Sequence, residues 1–400
     1  MSENPSTVAV AFSGGLDTSW CVPVLLDEGF QIVTVTVDVG GFDADEVANL
    51  KAQSRALGTT EHVHINAQQE YWERIVRHLL AGHIVRGGTY PLCVGAERAL
   101  QAELVGVYAK QHGIKAVAHG CTAAGNDQVR FEVALRSTAP GVTILAPVRD
   151  LAPSRPDQVA LLESRGLPVP VHGAAYSVNS GLWGVTIGGK ETTGTTESLP
   201  DEQWLRTKKR GAQDDLKVII GFEKGQPVSL DGEALNPVNL IERLDDLAGA
   251  RGIGRGIHLG ETILGIKGRV AFEAPAATVL MAAHKELQKL TTTKRQQQAA
   301  DAVAVYYGEM VHEGLFVDPA CRAIEALFDS VQERVTGTVD VLLSSGGFLV
   351  TGCDSPFSLH RASRAVYGEA VGEWTPADAK GFCAIYGLSS VLYARAGEEK

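Results

Sequence analysis

Thr7-Val-Ala-Val-Ala-Phe-Ser-Gly-Gly-Leu-Asp-Thr-Ser19 decides how this chain folds. The run 7–12 reads as a buried strand, and an apolar-faced helical pattern follows over 18–28 until Gly29 stops it. Between them, Gly14 and Gly15 let backbone N–H groups turn inward at a helix N-terminus, where the helix dipole is positive. With hydroxyls on Ser13, Thr18 and Ser19, the stretch is a cradle for phosphate oxygens. It is neither GxGxxG nor GxxxxGK[ST], the two commoner glycine loops. Asp17 sets a carboxylate beside those anions, which repel it unless a divalent cation lies between, so Mg²⁺ is implied.

Outward from this stretch the chain alternates strand and helix. Strands are expected at 31–37, 62–65, 115–119 and 142–146, and helices at 43–57, 69–80, 95–112 and 128–137. That alternation predicts a doubly wound parallel α/β sheet. Pro153, Pro156, Pro168 and Pro170 bracket one further helix and mark a domain boundary. Beyond it, strands at 217–222, 268–272, 338–343 and 347–350 mix with helices at 276–290, 297–312 and 376–394, an α+β pattern with a helical C-terminal extension. The stretch 188–198, GGKETTGTTES, holds no apolar residue and is expected to be a mobile loop. The divisions expected are a nucleotide-binding domain at 1–168, a second domain at 169–355 and a tail at 356–400.

Composition narrows the function. Four hundred residues at about 150 per domain, 44% of them hydrophobic, suffice for sizeable cores and exclude collagen, disorder and small disulfide scaffolds. A formal net charge of −11 gives no general attraction for nucleic acid or anionic membrane, so anionic substrates need a local device. Six scattered cysteines without a CxxC pair fit a reducing compartment, and the N-terminus lacks a basic leader pattern, so a cytoplasmic protein is expected.

Ser13-Gly-Gly-Leu-Asp-Thr-Ser19 resembles the PP-loop of N-type ATP pyrophosphatases, in the spelling of the argininosuccinate synthase family. A second block, His119-Gly-Cys-Thr-Ala-Ala-Gly-Asn-Asp-Gln-Val-Arg-Phe-Glu132, also follows a strand and opens a helix, and is similar to that family's signature. The resemblance implies ATP lying against Ala11, Phe12, Ser13, Gly14, Gly15, Leu16, Asp17, Thr18, Ser19, Val37 and Gly120, with Mg²⁺ held mainly through the phosphates rather than by a protein metal site. Thr122, Asn126 and Asp127 match aspartate-binding positions, and Tyr90, Asn126, Arg130, Ser177 and Thr186 match positions facing citrulline. Arg98 is a further candidate for a substrate carboxylate, because a guanidinium fork suits bidentate recognition. Ser13, Asp17 and Asp127 are the expected catalytic positions. The implied chemistry joins citrulline and aspartate through a citrullyl adenylate, with AMP and pyrophosphate released. Positioning and charge neutralisation carry such a reaction without a covalent nucleophile. A homotetramer is also implied, the tail after about Ser355 reaching a neighbour; Glu373-Trp-Thr-Pro376 ahead of an apolar-faced helix is an odd free end for a monomer.

The sequence departs from the family pattern around the acceptor. Where GTSLARP is expected, the chain has Cys93-Val-Gly-Ala-Glu-Arg-Ala99, so a serine becomes Gly95. An expected glutamate is Gly260 with Glu261 beside it, an expected tyrosine is Phe272, and a serine is Thr186. Two readings follow: plain citrulline held by a rearranged shell including Glu261, Phe272 and Arg98, or a modified ureido acceptor such as an N-acylcitrulline. The rival classes are another PP-loop ligase, which the second block argues against, and a non-catalytic nucleotide-binding module, which both substrate blocks argue against.

Minor signals take plainer readings. Gly184–Lys190 approaches a Walker A loop but lacks its hydroxyl and helix, and Gly252–Gly256 reads as a turn. His62 and His64 share a strand face without a third ligand at zinc spacing, and the basic run 206–210 reads as a solvated face. The cysteines read as small apolar packing residues, with Cys121 beside the second block.

Overall fold

Strand β1 (Thr7–Ala11) runs through the middle of a parallel sheet whose order is β3-β2-β1-β4-β5, with β2 at Gln31–Asp38, β3 at Glu61–Asn66, β4 at Ala116–Ala118 and β5 at Thr143–Leu145. The architecture comes from a computed structural model, which describes residues 6–170, 176–208, 214–369 and 372–398. Because side chains alternate along a strand, Val8 and Val10 face one apolar layer and Ala9 the other. Helices α1 (Leu16–Asp27), α2 (Ala44–Ala56) and α8 (Arg155–Ser164) cover the first face. Helices α3 (Gln68–Tyr71), α4 (Arg77–Ala81), α5 (Arg98–Gln111) and α6 (Asp127–Thr138) cover the second, and a short α7 (Pro147–Leu151) precedes α8. This is the doubly wound sheet expected from the alternation. A π-helical turn at Trp72–Val76 joins α3 to α4, so the single helix expected over 69–80 carries a bulge. Helix α2 is started by a capping box in which the Asp43 carboxylate accepts from Glu46 N at 2.8 Å and Glu46 accepts from Asp43 N at 2.9 Å.

The second half builds two antiparallel sheets. One has the order β11-β12-β7-β6, from β6 (Tyr176–Gly181), β7 (Gly184–Gly189), β11 (Arg255–Glu261) and β12 (Lys267–Glu273). The other has the order β10-β9-β8-β13-β14, from β8 (Leu216–Glu223), β9 (Gln226–Leu230), β10 (Glu233–Ala234), β13 (Gly337–Ser344) and β14 (Gly347–Asp354). Helices α9 (Pro237–Gly249), α10 (Pro275–Thr291), α11 (Lys294–His312) and α12 (Pro319–Gln332) pack their apolar faces into the core shared with the first domain. The chain ends in α13 (Leu359–Ala362), α14 (Pro376–Tyr386) and α15 (Leu388–Glu398).

Two expectations change, and the plain reading of the Walker-like stretch holds. The stretch 188–198 is not simply a loop: β7 runs to Gly189, a 3₁₀ turn covers Lys190–Thr193, and Thr192 is buried with its hydroxyl on the Gly189 carbonyl at 2.9 Å. Arg269 then donates to the carbonyls of Glu191 and Gly194, both at 3.0 Å, so polar residues are held by polar contacts. The helix expected over 376–394 is two helices, because Gly387 caps the first. The Walker-like stretch is strand β7, paired on both sides and presenting no anion loop. Of the basic run, Lys209 and Arg210 lie outside the described residues.

Candidate active site

The loop after β1 stays in register with its neighbour, since Phe12 N donates to the Val35 carbonyl at 2.9 Å. It then turns at Gly14, whose φ of +74° and contact with the Leu50 side chain leave no room for a Cβ. Gly15 caps α1 in an extended conformation, and the Ser13 hydroxyl accepts from Gly15 N at 3.4 Å. Thr18 closes the turn, donating its hydroxyl to the Gly15 carbonyl at 3.2 Å and lying 3.3 Å from the Ser13 hydroxyl. Ser13 is exposed, Ala11, Gly14 and Gly15 are half-buried, and Phe12 and Leu16 are buried below. The first N–H groups of α1 have no intrahelical partner and are available to an anion.

Two side chains fix this loop from behind. Gln53 of α2 donates to the Gly14 carbonyl at 3.0 Å and to the Ser19 hydroxyl at 2.9 Å. Ser19 is fully buried, which corrects the expectation of three hydroxyls at the anion: Ser13 and Thr18 flank the turn, and Ser19 anchors it to α2. Gln158 of α8 donates to the Asp17 carboxylate at 2.9 Å. Neither glutamine figured in the sequence reading, because nothing local in the sequence tells which distant amide meets the loop.

The second motif arrives on the same edge. A Cβ on Gly120 would stand 3.0 Å from Thr18 N and 3.1 Å from the Asp17 carbonyl carbon, so the chain after β4 lies backbone against backbone on the first turn of α1. Only glycine permits that approach. Both motifs thus meet outside the carboxyl ends of β1 and β4, where an open α/β sheet binds its ligands. Val37, also expected here, is buried in β2, and its carbonyl accepts from Gln101 at 3.2 Å.

Beyond Gly120, Thr122 is exposed and Asp127 begins α6. The Asp127 carboxylate accepts from Arg130 Nη1 at 2.7 Å and from Arg98 Nε at 3.1 Å. Burial pushes its pKa up, but the Arg98 and Arg130 cations outweigh it and hold Asp127 at about 2. Arg98 also donates to Asn179 of β6 at 2.7 Å, tying the two domains. Arg130 is buried, with Nε donating to the His312 carbonyl at 2.8 Å and Nη2 to His312 Nδ1 at 3.0 Å. Three of the guanidinium's five N–H donors are thus used inside the protein, and Arg130 braces Asp127 from α6 itself.

Other acceptor positions also shift. Tyr90 is buried, donates its hydroxyl to the Val94 carbonyl at 2.6 Å, and meets Phe272 edge-on at 5.3 Å, so it shapes a wall instead of offering a hydroxyl. Thr186 is buried in β7 opposite Phe272, and Ser177 is exposed on β6. Glu261 ends β11 with its exposed carboxylate on Lys267 at 2.7 Å, a cross-strand pair that turns it away from the role expected. The turn beyond it does reach the site, because Ile263 N donates to Asn126 Oδ1 at 2.8 Å. Burial, then Asp127, pushes the Cys121 thiol well above the usual range, which favours the protonated form.

Comparison with known proteins agrees with this geometry. A model of the "Arginosuccinate synthase N-terminal HUP domain" matches residues 7–168, and one of the "Arginosuccinate synthase C-terminal domain" matches residues 176–393. The argininosuccinate synthase of Methanocaldococcus jannaschii is 36% identical over 386 residues, 96% of this chain and 97% of that protein. That of Lactiplantibacillus plantarum is 37% identical over 399 residues, 99% and 96% of the two chains, and that of Xanthomonas campestris 35% over 395 residues, 97% and 98%. The chain belongs to the argininosuccinate synthase family. It is accordingly an ATP-dependent ligase that forms a C–N bond.

Membership in the synthase family gives the two glycine departures a physical reading. A Cβ on Gly95 would stand 2.8 Å from Arg130 Nη1, and Gly95 itself sits at φ +106°. A Cβ on Gly260 would overlap the His258 imidazole and stand 3.0 Å from Arg86 Nη1. At both positions where the family pattern carries a polar side chain, this chain lays a basic side chain against a glycine. Among the described residues no helix is long and apolar enough to cross a membrane.

Proposed function

We propose that this site condenses citrulline and aspartate to argininosuccinate, with ATP cleaved to AMP and pyrophosphate through a citrullyl adenylate. The observation that carries the reading is the apposition of Gly120 on the first turn of α1, which joins the phosphate-type loop to the block bearing Thr122, Asn126 and Asp127. The loop suits ATP because Gly14 turns where no Cβ fits, the helix N-terminus faces outward, and Ser13 is exposed to donate. Mg²⁺, when bound with the phosphates, neutralises charge on the leaving pyrophosphate. Asp17, oriented by Gln158, is the carboxylate on hand for that ion. Asp127, kept ionised by Arg98 and Arg130, accepts from the amino group of aspartate and holds it for attack. The ureido oxygen attacks the α-phosphorus in line, and the amine then displaces AMP, so positioning carries the rate.

The acceptor is read as plain citrulline, in keeping with the names of the relatives, and not as an N-acylated derivative. Residues 1–168 form the nucleotide domain of this reading, 169–355 the synthetase domain and 356–400 an oligomerisation tail. Helices α14 and α15 support that last role, since they bury no residue while Ile385 is 77% and Tyr393 86% exposed. A homotetramer covers such faces. Scattered free thiols and a biosynthetic reaction fit the cytoplasm. The deciding assay supplies ATP, Mg²⁺, citrulline and aspartate: AMP and pyrophosphate are expected in equal amounts and only with all components present. Release of ADP and phosphate would overturn the assignment.

A further inference from the structure

Behind the two arginines that hold Asp127 lies a carboxylate that neither motif accounts for. The family pattern GTSLARP has alanine where this chain has Glu97, and Glu97 is 2% exposed at the start of α5. A carboxylate is costly to take out of water and is kept inside only where its charge is met. Two groups meet it here. Glu97 Oε2 accepts from Gly95 N at 2.7 Å, and Oε1 lies 3.3 Å from Arg98 Nη1. The Tyr71 hydroxyl is pushed up by burial and then by Glu97, yet it makes no bond to the carboxylate, so Arg98 is the counter-ion of Glu97 among the described residues.

Both contacts lead to Asp127. The Arg98 guanidinium donates to Asp127 at 3.1 Å as well, so one cation is divided between two carboxylates. Gly95 is the floor under the other cation. A Cβ there would stand 2.8 Å from Arg130 Nη1 and 2.9 Å from both Cζ and Nη2, so the guanidinium plane lies face-on over Gly95. At φ +106° that glycine holds a backbone other residues resist, and its N–H bond to Glu97 pins the turn. Charge on Arg98, Arg130, Asp127 and Glu97 sums to zero. With alanine at 97 the same group would carry one net positive charge. The Asp127 carboxylate is 37% exposed, so a ligand can reach it.

We infer that Glu97 is a positioning residue for Asp127: it takes up part of Arg98 and seats Arg130, so that Asp127 remains able to accept the amino group of aspartate between two cations. The inference rests on the aspartate-binding role proposed for Asp127 above. An amino group brought to Asp127 meets a cluster of no net charge in this chain, and without Glu97 it would meet a positive one.

Succinate is aspartate without the amine, so the ratio of their calorimetric dissociation constants reads what the protein gains from that group. The parent is expected to bind aspartate roughly tenfold tighter or more. Glu97→Gln keeps an oxygen for Gly95 N and removes only the charge. It should bring the ratio below about threefold and raise aspartate KM roughly tenfold, with kcat at saturating aspartate within about twofold of the parent. Glu97→Ala, which also frees Gly95, should fall at least as far. Asp127→Asn should remove most of the preference, and adding Glu97→Gln to it should change the ratio by less than about twofold, because the buried carboxylate acts through Asp127. A parent ratio near one, an unchanged ratio in folded Glu97→Gln, or a full further loss in the double variant would overturn the inference, whatever these variants do to stability. The synthase reading fails separately, if ATP, citrulline and aspartate yield no AMP. The binding ratios need no turnover and decide the role of Glu97 in either case.

Discussion

Asp17 is the carboxylate at the phosphate-type loop, and the structure shows it held by a single bond from Gln158. Asp17→Asn is expected to fold normally and to lower kcat by roughly 10², the scale of removing one preorganised electrostatic group. An unchanged kcat in steady-state assays would reduce Asp17 to a helix-capping role. Arg130→Lys keeps the charge but loses the fork that meets Asp127, the His312 carbonyl and His312 Nδ1 together. Leaving buried partners unmet should cost about 1–3 kcal/mol, read by denaturant unfolding, and should raise citrulline KM while ATP still binds. Asp127 links this cluster to pH. Its folded pKa, about 2, lies below the ordinary 3.8, so its contribution to stability is complete above about pH 4 and is lost as pH falls through about 2. The carboxylate is 37% exposed, and solvent reduces the size of the effect. Unfolding curves of the parent and Asp127→Asn should therefore differ at neutral pH and converge near pH 2.

Among elements, the β11–β12 hairpin shows how a register decides a role. Glu261 pairs directly across from Lys267, and the antiparallel geometry brings their charged ends together at 2.7 Å in solvent. Glu261→Gln should leave citrulline KM unchanged, and a severalfold rise in initial-rate measurements would restore it to the acceptor site. The hairpin's contribution to the site comes instead from its turn, through Ile263 N on Asn126. Helix α12 is not among the helices expected from the pattern, although its signals are local: Asp318 caps it, Pro319 starts it, and Cys321, Ile324, Phe328 and Val331 recur at helical spacing and are buried. Strands β6 and β9 gave less, because glycine, serine and proline break their apolar alternation.

At the scale of the molecule, the tail is the least satisfied part. Tyr367, Trp374, Phe382, Ile385, Tyr386 and Tyr393 all stand exposed within one extension, the kind of apolar patch that an interface covers. Static light scattering should return about four times the mass of one 42.4 kDa chain. Removing residues 356–400 should lower that mass, and a particle of 42.4 kDa for the intact chain would refute the tetramer.

The sequence alone determined the parallel sheet and the phosphate-type loop, because both are local: a buried strand, a glycine turn and a helix start lie within thirteen consecutive residues, Thr7 to Ser19. It also determined that the second block ends on the same sheet edge, since every parallel strand presents its carboxyl end there. The contents of the acceptor site were decided only by tertiary structure. Arg130 was legible as a cation near citrulline, yet its bonds go to His312, which is 182 residues away. Gly95 and Gly260 were legible as missing side chains, but their meaning depended on Arg130 and His258 lying against them. Gln53 and Gln158, which hold the loop, and His312, which takes two bonds from Arg130, bear no motif. A hydrogen bond between distant segments leaves no periodicity in either, so only the folded chain reveals it.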